Sequence, residues 1–169
     1  MAKFAYSNNG QSFRMVEPDW GLNAGEVLFA TPPTADQLTA AFPGYAQQVA
    51  LAALASIAEV HLGANLSITS VVTGSTVVNS YAPQYFGIIT GAYQAALVSP
   101  SFAVSWQDQT GAFYSLSAAQ VISMWEIGMT YVQAVYAQLH TLTDQVMAAT
   151  TPDAVAAISL SAGWPATSY

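Results

Sequence analysis

The longest regular pattern in the chain begins near residue 118. Ile122, Trp125, Met129, Val132, Tyr136, Leu139 and Val146 recur by threes and fours, with Thr143 at the one polar step. This spacing is the a/d seam of a helix that packs along a partner. A second apolar stripe of Val121, Met124, Gly128, Tyr131, Val135 and Leu142 lies beside it. Ser117 and Gln120 make a capping box at the start, with Leu116 and Val121 as its hydrophobic staple. No proline follows until Pro152, so the pattern predicts one long helix over about 118–148. At 1.5 Å per residue a helix of ~30 residues is about 45 Å long, and one small domain rarely covers such a helix on two stripes.

The rest of the chain alternates between the two periods. Residues 3–6 and 12–16 read as strands around Ser7-Asn8-Asn9-Gly10, where Asn-Gly supplies the positive φ angles of a tight hairpin. Pro18 ends the second strand, and residues 25–29 give a third. Thr34 and Gln37 form a capping box for a short helix over 35–41, which Phe42-Pro43-Gly44-Tyr45 breaks. Residues 46–62 place Leu54, Ile57, Ala58 and His61 at helical spacing, with Gly63 as the C-cap. Residues 66–72 read as a strand and 76–79 as its return after Gly74-Ser75. Pro83 suits the first turn of a helix to residue 98. Residues 101–106 and 112–116 form a second hairpin, and Thr151-Pro152 caps a last short helix over 153–158.

These elements make an α+β chain. A small β-rich N-terminal module over 1–45 is followed by a mainly helical domain over 46–169. That domain contains a hairpin at about 101–116 and the long helix. The chain's 169 residues suit one domain, or one domain with a small appendage. The windows 46–62 and 81–98 are too interrupted by polar residues to cross a membrane and read as buried helices. No secretory signal is read at the N-terminus.

Charge narrows the function more than fold does. Lys3 and Arg14 are the only cations against nine acids, giving a net charge of −7, and charged residues make up 7% of the chain. Neutralising a phosphate backbone needs several Lys or Arg contacts, so nucleic acid and nucleoside triphosphates are poor partners. The absence of cysteine removes disulfides and thiolate metal sites. With a hydrophobic content of 53%, intrinsic disorder is not expected.

Catalytic constellations are sparse. His140 and Asp144 stand four apart on a helix, a spacing that can present two metal ligands on one face, but the reading preferred is an exposed polar pair near a helix C-terminus. His61 and Glu59 are two apart and do not face each other. No Gly-x-Ser-x-Gly elbow and no Gly-rich phosphate loop occurs. The acids Glu17, Asp19, Glu26, Asp36, Glu59, Asp108, Glu126, Asp144 and Asp153 are scattered. Asp108 falls in a turn and Asp153 in a first helical turn, where structure alone accounts for them. Trp20, Trp106, Trp125 and Trp164 fall on different elements, and aromatics at core periodicity usually belong to a core. No catalytic residue, metal ligand or cofactor is assigned.

Several segments carry a resemblance. They are Phe4-Ala5-Tyr6-Ser7, Leu22-Asn23-Ala24-Gly25-Glu26-Val27-Leu28-Phe29, Pro32-Pro33-Thr34-Ala35-Asp36-Gln37-Leu38 and Ala41-Phe42-Pro43-Gly44-Tyr45. Together they resemble N-terminal segments of bacteriophage tail-fibre-associated proteins. Trp106-Gln107-Asp108-Gln109-Thr110-Gly111, Leu116-Ser117-Ala118-Ala119-Gln120 and Tyr131-Val132 are similar to a domain of unknown function common in such proteins, where a hairpin leads into a long helix. Ala157-Ile158 and Gly163-Trp164-Pro165 resemble the end of tail-fibre assembly chaperones. The resemblance implies a non-enzymatic phage protein that helps a tail fibre fold or remains as a virion tail component. It would be found in the virion tail or, during assembly, in the host cytoplasm. The expected partner is a phage tail or tail-fibre protein, or a second copy of the chain, with no nucleic acid and no membrane. The expected interface is Ile122, Trp125, Met129, Val132, Tyr136 and Leu139, with Trp164. The rival readings are a host-surface glycan-binding adhesin and a metal-assisted hydrolase using His61 and His140.

Overall fold

The computed structural model describes residues 3–17 and 20–169; Pro18, expected to end the second strand, and Asp19 lie outside them. The protein is α+β. Its elements are β1 (Lys3–Ser7), β2 (Ser12–Val16), β3 (Val27–Phe29), α1 (Ala35–Ala41), α2 (Tyr45–Leu62), β4 (Asn65–Ile68), β5 (Val77–Ser80), α3 (Pro83–Val98), β6 (Ala103–Gln107), β7 (Phe113–Ser117), α4 (Ala118–Ala148) and α5 (Pro152–Ala156). Packing groups them into two units. One takes the described residues of Met1–Ala55 with Thr141–Leu160, the other Ser56–His140 with Ser161–Tyr169. The long helices α2 and α4 each contribute to both. This grouping follows tertiary contact, whereas the division into 1–45 and 46–169 follows local composition.

In the first unit, β1 lies between β2 and β3, antiparallel to both. The hairpin loop puts Asn8, Asn9 and Gly10 all at positive φ, so two asparagines share the left-handed geometry that the sequence assigned to Asn-Gly. Gly10 is needed on packing grounds as well: a Cβ there would meet Tyr45 at 2.9 Å and Leu38 at 3.2 Å. One sheet face carries aromatic rings, with Tyr6 stacked on Phe13 at 5.3 Å and edge-on to Phe29 at 5.6 Å. The opposite face buries Ala5 and Val16. Arg14 holds Glu26 through two 2.8 Å hydrogen bonds. That contact, with the Asn23 backbone N–H, brings the Glu26 carboxyl down to about 2. The capping box at α1 forms as its sequence requires. Ala50, Val146 and Val155 make a thin core here. Gln47 donates to the carbonyls of Val146, Met147 and Ala149, supplying partners for orphan groups at the α4 C-terminus.

The second unit holds the larger core. Two hairpins, β4–β5 and β6–β7, are antiparallel pairs, and their inward residues Leu66, Ile68, Val77, Trp106 and Leu116 pack on Val121, Met124, Tyr131 and Val135 of α4. β4 ends at Ile68, short of the expected residue 72. Thr69 N–H turns to the carbonyl of Tyr169, and the carbonyl of Val71 accepts Gln120 Nε2. The C-terminal segment instead runs along β4, exchanging main-chain hydrogen bonds between Ser67 and both Thr167 and Tyr169.

The two stripes of α4 separate here. Val121, Met124, Gly128, Tyr131 and Val135 face the core and are buried, and Leu142 is buried too. Ile122, Trp125, Met129, Val132 and Leu139 are half-buried on the flank, and Tyr136 is exposed. Gly128 explains the choice. The ring of Tyr81 lies on this glycine where any Cβ would stand, and the Tyr81 hydroxyl donates to the Met124 carbonyl. The expectation that 46–62 and 81–98 are buried helices is corrected. α3 buries only Ile89 and Ala96, and α2 exposes Val49 and Val60; each helix packs on one narrow stripe, leaving its other faces to solvent.

Gly128→Ala should therefore destabilise the fold although alanine is the better helix former. The substitution gains about 1 kcal/mol in helix propensity, but displacing a packed tyrosine costs about 3 kcal/mol. Chemical denaturation should show a net loss, and equal or greater stability would contradict this packing.

Candidate functional site

A cavity of about 570 Å³ belongs to the second unit. Three elements wall it. The end of β5 gives Asn79 and Ser80, α3 gives Tyr85, Ile88, Ile89 and Ala92, and β6 with its turn gives residues 104–109 and Gly111. Alternation along β6 sends Val104 and Trp106 inward, while Ser105 and Gln107 stay on the exposed side.

Asp108 fixes the turn that closes one end. Its Oδ1 accepts the Thr110 N–H at 2.9 Å, the Thr110 hydroxyl at 2.6 Å and the Ala112 N–H at 3.0 Å. Its Oδ2 accepts the Val78 N–H of β5 at 3.1 Å, while Gln109 N–H donates to the Val78 carbonyl at 2.8 Å. Burial pushes the Asp108 carboxyl up, but these four hydrogen bonds outweigh it and hold the pKa below the ordinary value. Sequence position placed Asp108 in a turn; its tie to β5, 30 residues earlier, has no local signal.

Two buried donors at this wall stand out. Trp106 is 9% exposed and Asn79 3%, and neither Trp106 Nε1 nor Asn79 Nδ2 makes a hydrogen bond. The Asn79 amide lies beside the Tyr81 phenol and favours its ionised form, but burial dominates and raises the Tyr81 pKa. Tyr81 therefore remains a donor to Met124 at neutral pH.

A second concavity of the same unit is a groove of about 380 Å³ lined by Leu62, Tyr81, Pro83, Phe86, Met129, Val132 and Tyr136. It gathers Met129, Val132 and Tyr136 from the expected interface. Trp125 is engaged internally, between Phe86 at 5.2 Å and Tyr93 at 5.0 Å. Ile122 packs against the core, and Leu139 is half-buried on α4. Trp164 stacks on His61 at 4.7 Å. The seven residues therefore do not form one surface. Among the described residues no group of three or more His, Asp or Glu side chains comes together in a way that could hold a metal ion, and no helix is long and apolar enough to cross a membrane.

The family model described as Domain of unknown function (DUF4376) matches residues 68–159, more than half of the chain, and the protein belongs to that family. Every residue lining the larger cavity falls inside this segment. No curated protein and no solved structure matches the chain.

The folded Asp108 carboxyl titrates below its unfolded value, so its stabilising contribution is complete above the unfolded pKa and is lost as pH falls through the folded one. Asp108→Ala should cost about 2–3 kcal/mol by stranding the donors of Val78, Thr110 and Ala112. It should also flatten the acid limb of a stability–pH profile measured by urea unfolding. An unchanged acid limb would remove Asp108 as its source.

Proposed function

We propose that the protein is a non-enzymatic bacteriophage tail protein that works by protein–protein contact, either assisting tail-fibre folding and assembly or remaining as a tail component. The observation that carries this reading is the apolar groove on the second unit, where Met129, Val132 and Tyr136 meet Leu62 and Phe86. An aromatic side chain beside an apolar cleft is the usual anchor of a protein interface, and Tyr136 is 55% exposed. The segment resemblance to tail-fibre-associated proteins supplies the biological setting, in the virion tail or in the host cytoplasm during assembly. The scarcity of cations favours a contact made by shape and apolar burial rather than by ion pairs.

The test is co-expression with the tail-fibre protein of the same phage, followed by size-exclusion chromatography. A complex should form and should persist at high salt, because apolar burial is not screened. Tyr136→Ala should weaken it by about tenfold or more without changing the melting temperature. A clean monomer that forms no complex with any tail protein overturns the proposal, as does dissociation by moderate salt. Mass spectrometry of purified particles then separates the two roles: many copies mean a tail component, none an assembly factor.

A further inference from the structure

We infer that the aromatic face of the β1–β3 sheet is the contact surface for a second copy of the chain, separate from the apolar groove. The strand register fixes which residues share that face. Met15, Phe4 and Phe29 stand in one row across β2, β1 and β3, and Phe13, Tyr6 and Val27 in the next. All six are apolar or aromatic and none is fully buried: Phe13 is 61% and Met15 58% exposed, and the other four are half-buried. An antiparallel sheet with one solvated face ordinarily turns polar side chains to water. Here the face that packs is the opposite one, which buries Ala5 and Val16 and carries Lys3, Arg14 and Leu28 at the alternate register positions. The more apolar face is the one left open.

Charge selects the occupant. Two copies of a chain with net charge −7 repel each other, so they can meet only where little of that charge lies. Residues 3–29 hold both cations and three of the nine acids, so −1 of the −7 falls here and −6 on the rest. Arg14 neutralises Glu26, and the six face positions carry no ionisable carboxylate. An anionic lipid surface is a poor rival, since it would meet an acidic chain without a rim of cations. Area sets the strength. With aromatic side chains of about 150–250 Å² and the exposures above, the six leave roughly 400 Å² open per copy. With the exposed polar rim of Asn8, Gln11 and Ser12, two copies bury about 1,000 Å² in total, the least a specific interface needs. The dimer is therefore weak and reversible.

The face is also complementary to itself, as a two-fold contact requires. β1 is the middle strand, so an axis parallel to it lays β1 on its own copy and β2 on the β3 of the second copy. Phe13 then faces Val27 of the second copy, a large side chain over a small one. Met15 faces Phe29, a thioether against a ring. Phe4 and Tyr6 meet their own counterparts, offset by the angle of about 30° between packed sheets.

The experiment is analytical ultracentrifugation of the full chain from about 5 µM to about 500 µM, the range of weak interfaces. The weight-average mass should rise from 17.7 kDa toward twice that value. Because the two chains carry like charge, raising salt from about 50 mM to about 500 mM should tighten the dimer about threefold or more. Phe13→Thr combined with Met15→Thr, which keeps β-formers in the strand, should weaken it by at least about tenfold. Leu28→Thr on the opposite face and Tyr136→Ala in the groove should leave it intact. Chains with ¹³C-labelled methionine methyls, mixed with unlabelled chains, should show an intermolecular NOE from Met15 to a phenylalanine ring, a readout that needs no variant to fold. The inference is overturned if the chain stays monomeric over this range, if salt dissolves the association, or if the double variant associates like the wild type. It is overturned equally if Leu28→Thr or Tyr136→Ala abolishes the dimer, or if the dimer forms without the Met15 contact. A monomer whose Met15 methyl shifts only with a tail protein or with phosphatidylcholine vesicles gives the face to another occupant and overturns it too.

Discussion

The second unit depends on one contact, the ring of Tyr81 laid over Gly128. A helix interior with a glycine is weaker than one with alanine, so the gap must be filled by something that gains more. Tyr81 fills it with a buried ring, and its hydroxyl donates to the Met124 carbonyl. That carbonyl already serves the helix ladder, and its second lone pair accepts the phenol. The contact sets where β5 ends against α4. Two residues later Pro83 starts α3, so α3 inherits its position from the same contact. Trp125 then falls between Phe86 and Tyr93 of α3, and the walls of both concavities follow.

Around this contact, amides take the part that ion pairs play in chains with ordinary charge content. Gln47 ties α2 to the carbonyls ending α4. Gln120 reaches from the start of α4 to the Val71 carbonyl, and Gln138 holds the Ala162 carbonyl of the C-terminal segment. Each joins elements distant in sequence through a neutral donor. Neutral bonds of this kind are insensitive to screening, unlike exposed ion pairs. The Arg14–Glu26 pair sits in the N-terminal sheet, where both cations of the chain occur.

Local chemistry made most elements legible. The capping boxes at Thr34 and Ser117, proline at position 83 and the asparagine-rich turn mark element ends by short-range hydrogen bonding, and those ends appear where their residues require. What needed tertiary contact was less visible. Period alone cannot decide between two adjacent stripes on α4, since both satisfy it. The clue was Gly128 within one stripe, a residue without a side chain to bury and therefore a mark of close approach. α3 carries enough apolar residues to suggest burial all round, yet only Ile89 and Ala96 find partners deep enough. The cavity could not be read because its wall joins residues 79–92 with 104–111, and the bonds of Asp108 and Gln109 to Val78 that bring those stretches together are tertiary.

The thin packing of α3 is connected to what surrounds it. Buried apolar area stabilises at roughly 25 cal/mol per Å², and a helix that buries only two side chains fully forgoes much of that. Its remaining faces are used otherwise. Phe86 walls the apolar groove, while Tyr85, Ile88, Ile89 and Ala92 wall the larger cavity. Moving these residues into the core would erase both concavities, whereas loosening them further would leave α3 without support. Trp125 resolves the conflict: it is anchored on α4 and held by two α3 rings, so it fixes α3 from the side while its other faces stay open. The groove and the cavity differ in chemistry because the partners of α3 differ. On one side stand the apolar side chains of α4; on the other stands β6, with Trp106 and the Asp108 turn.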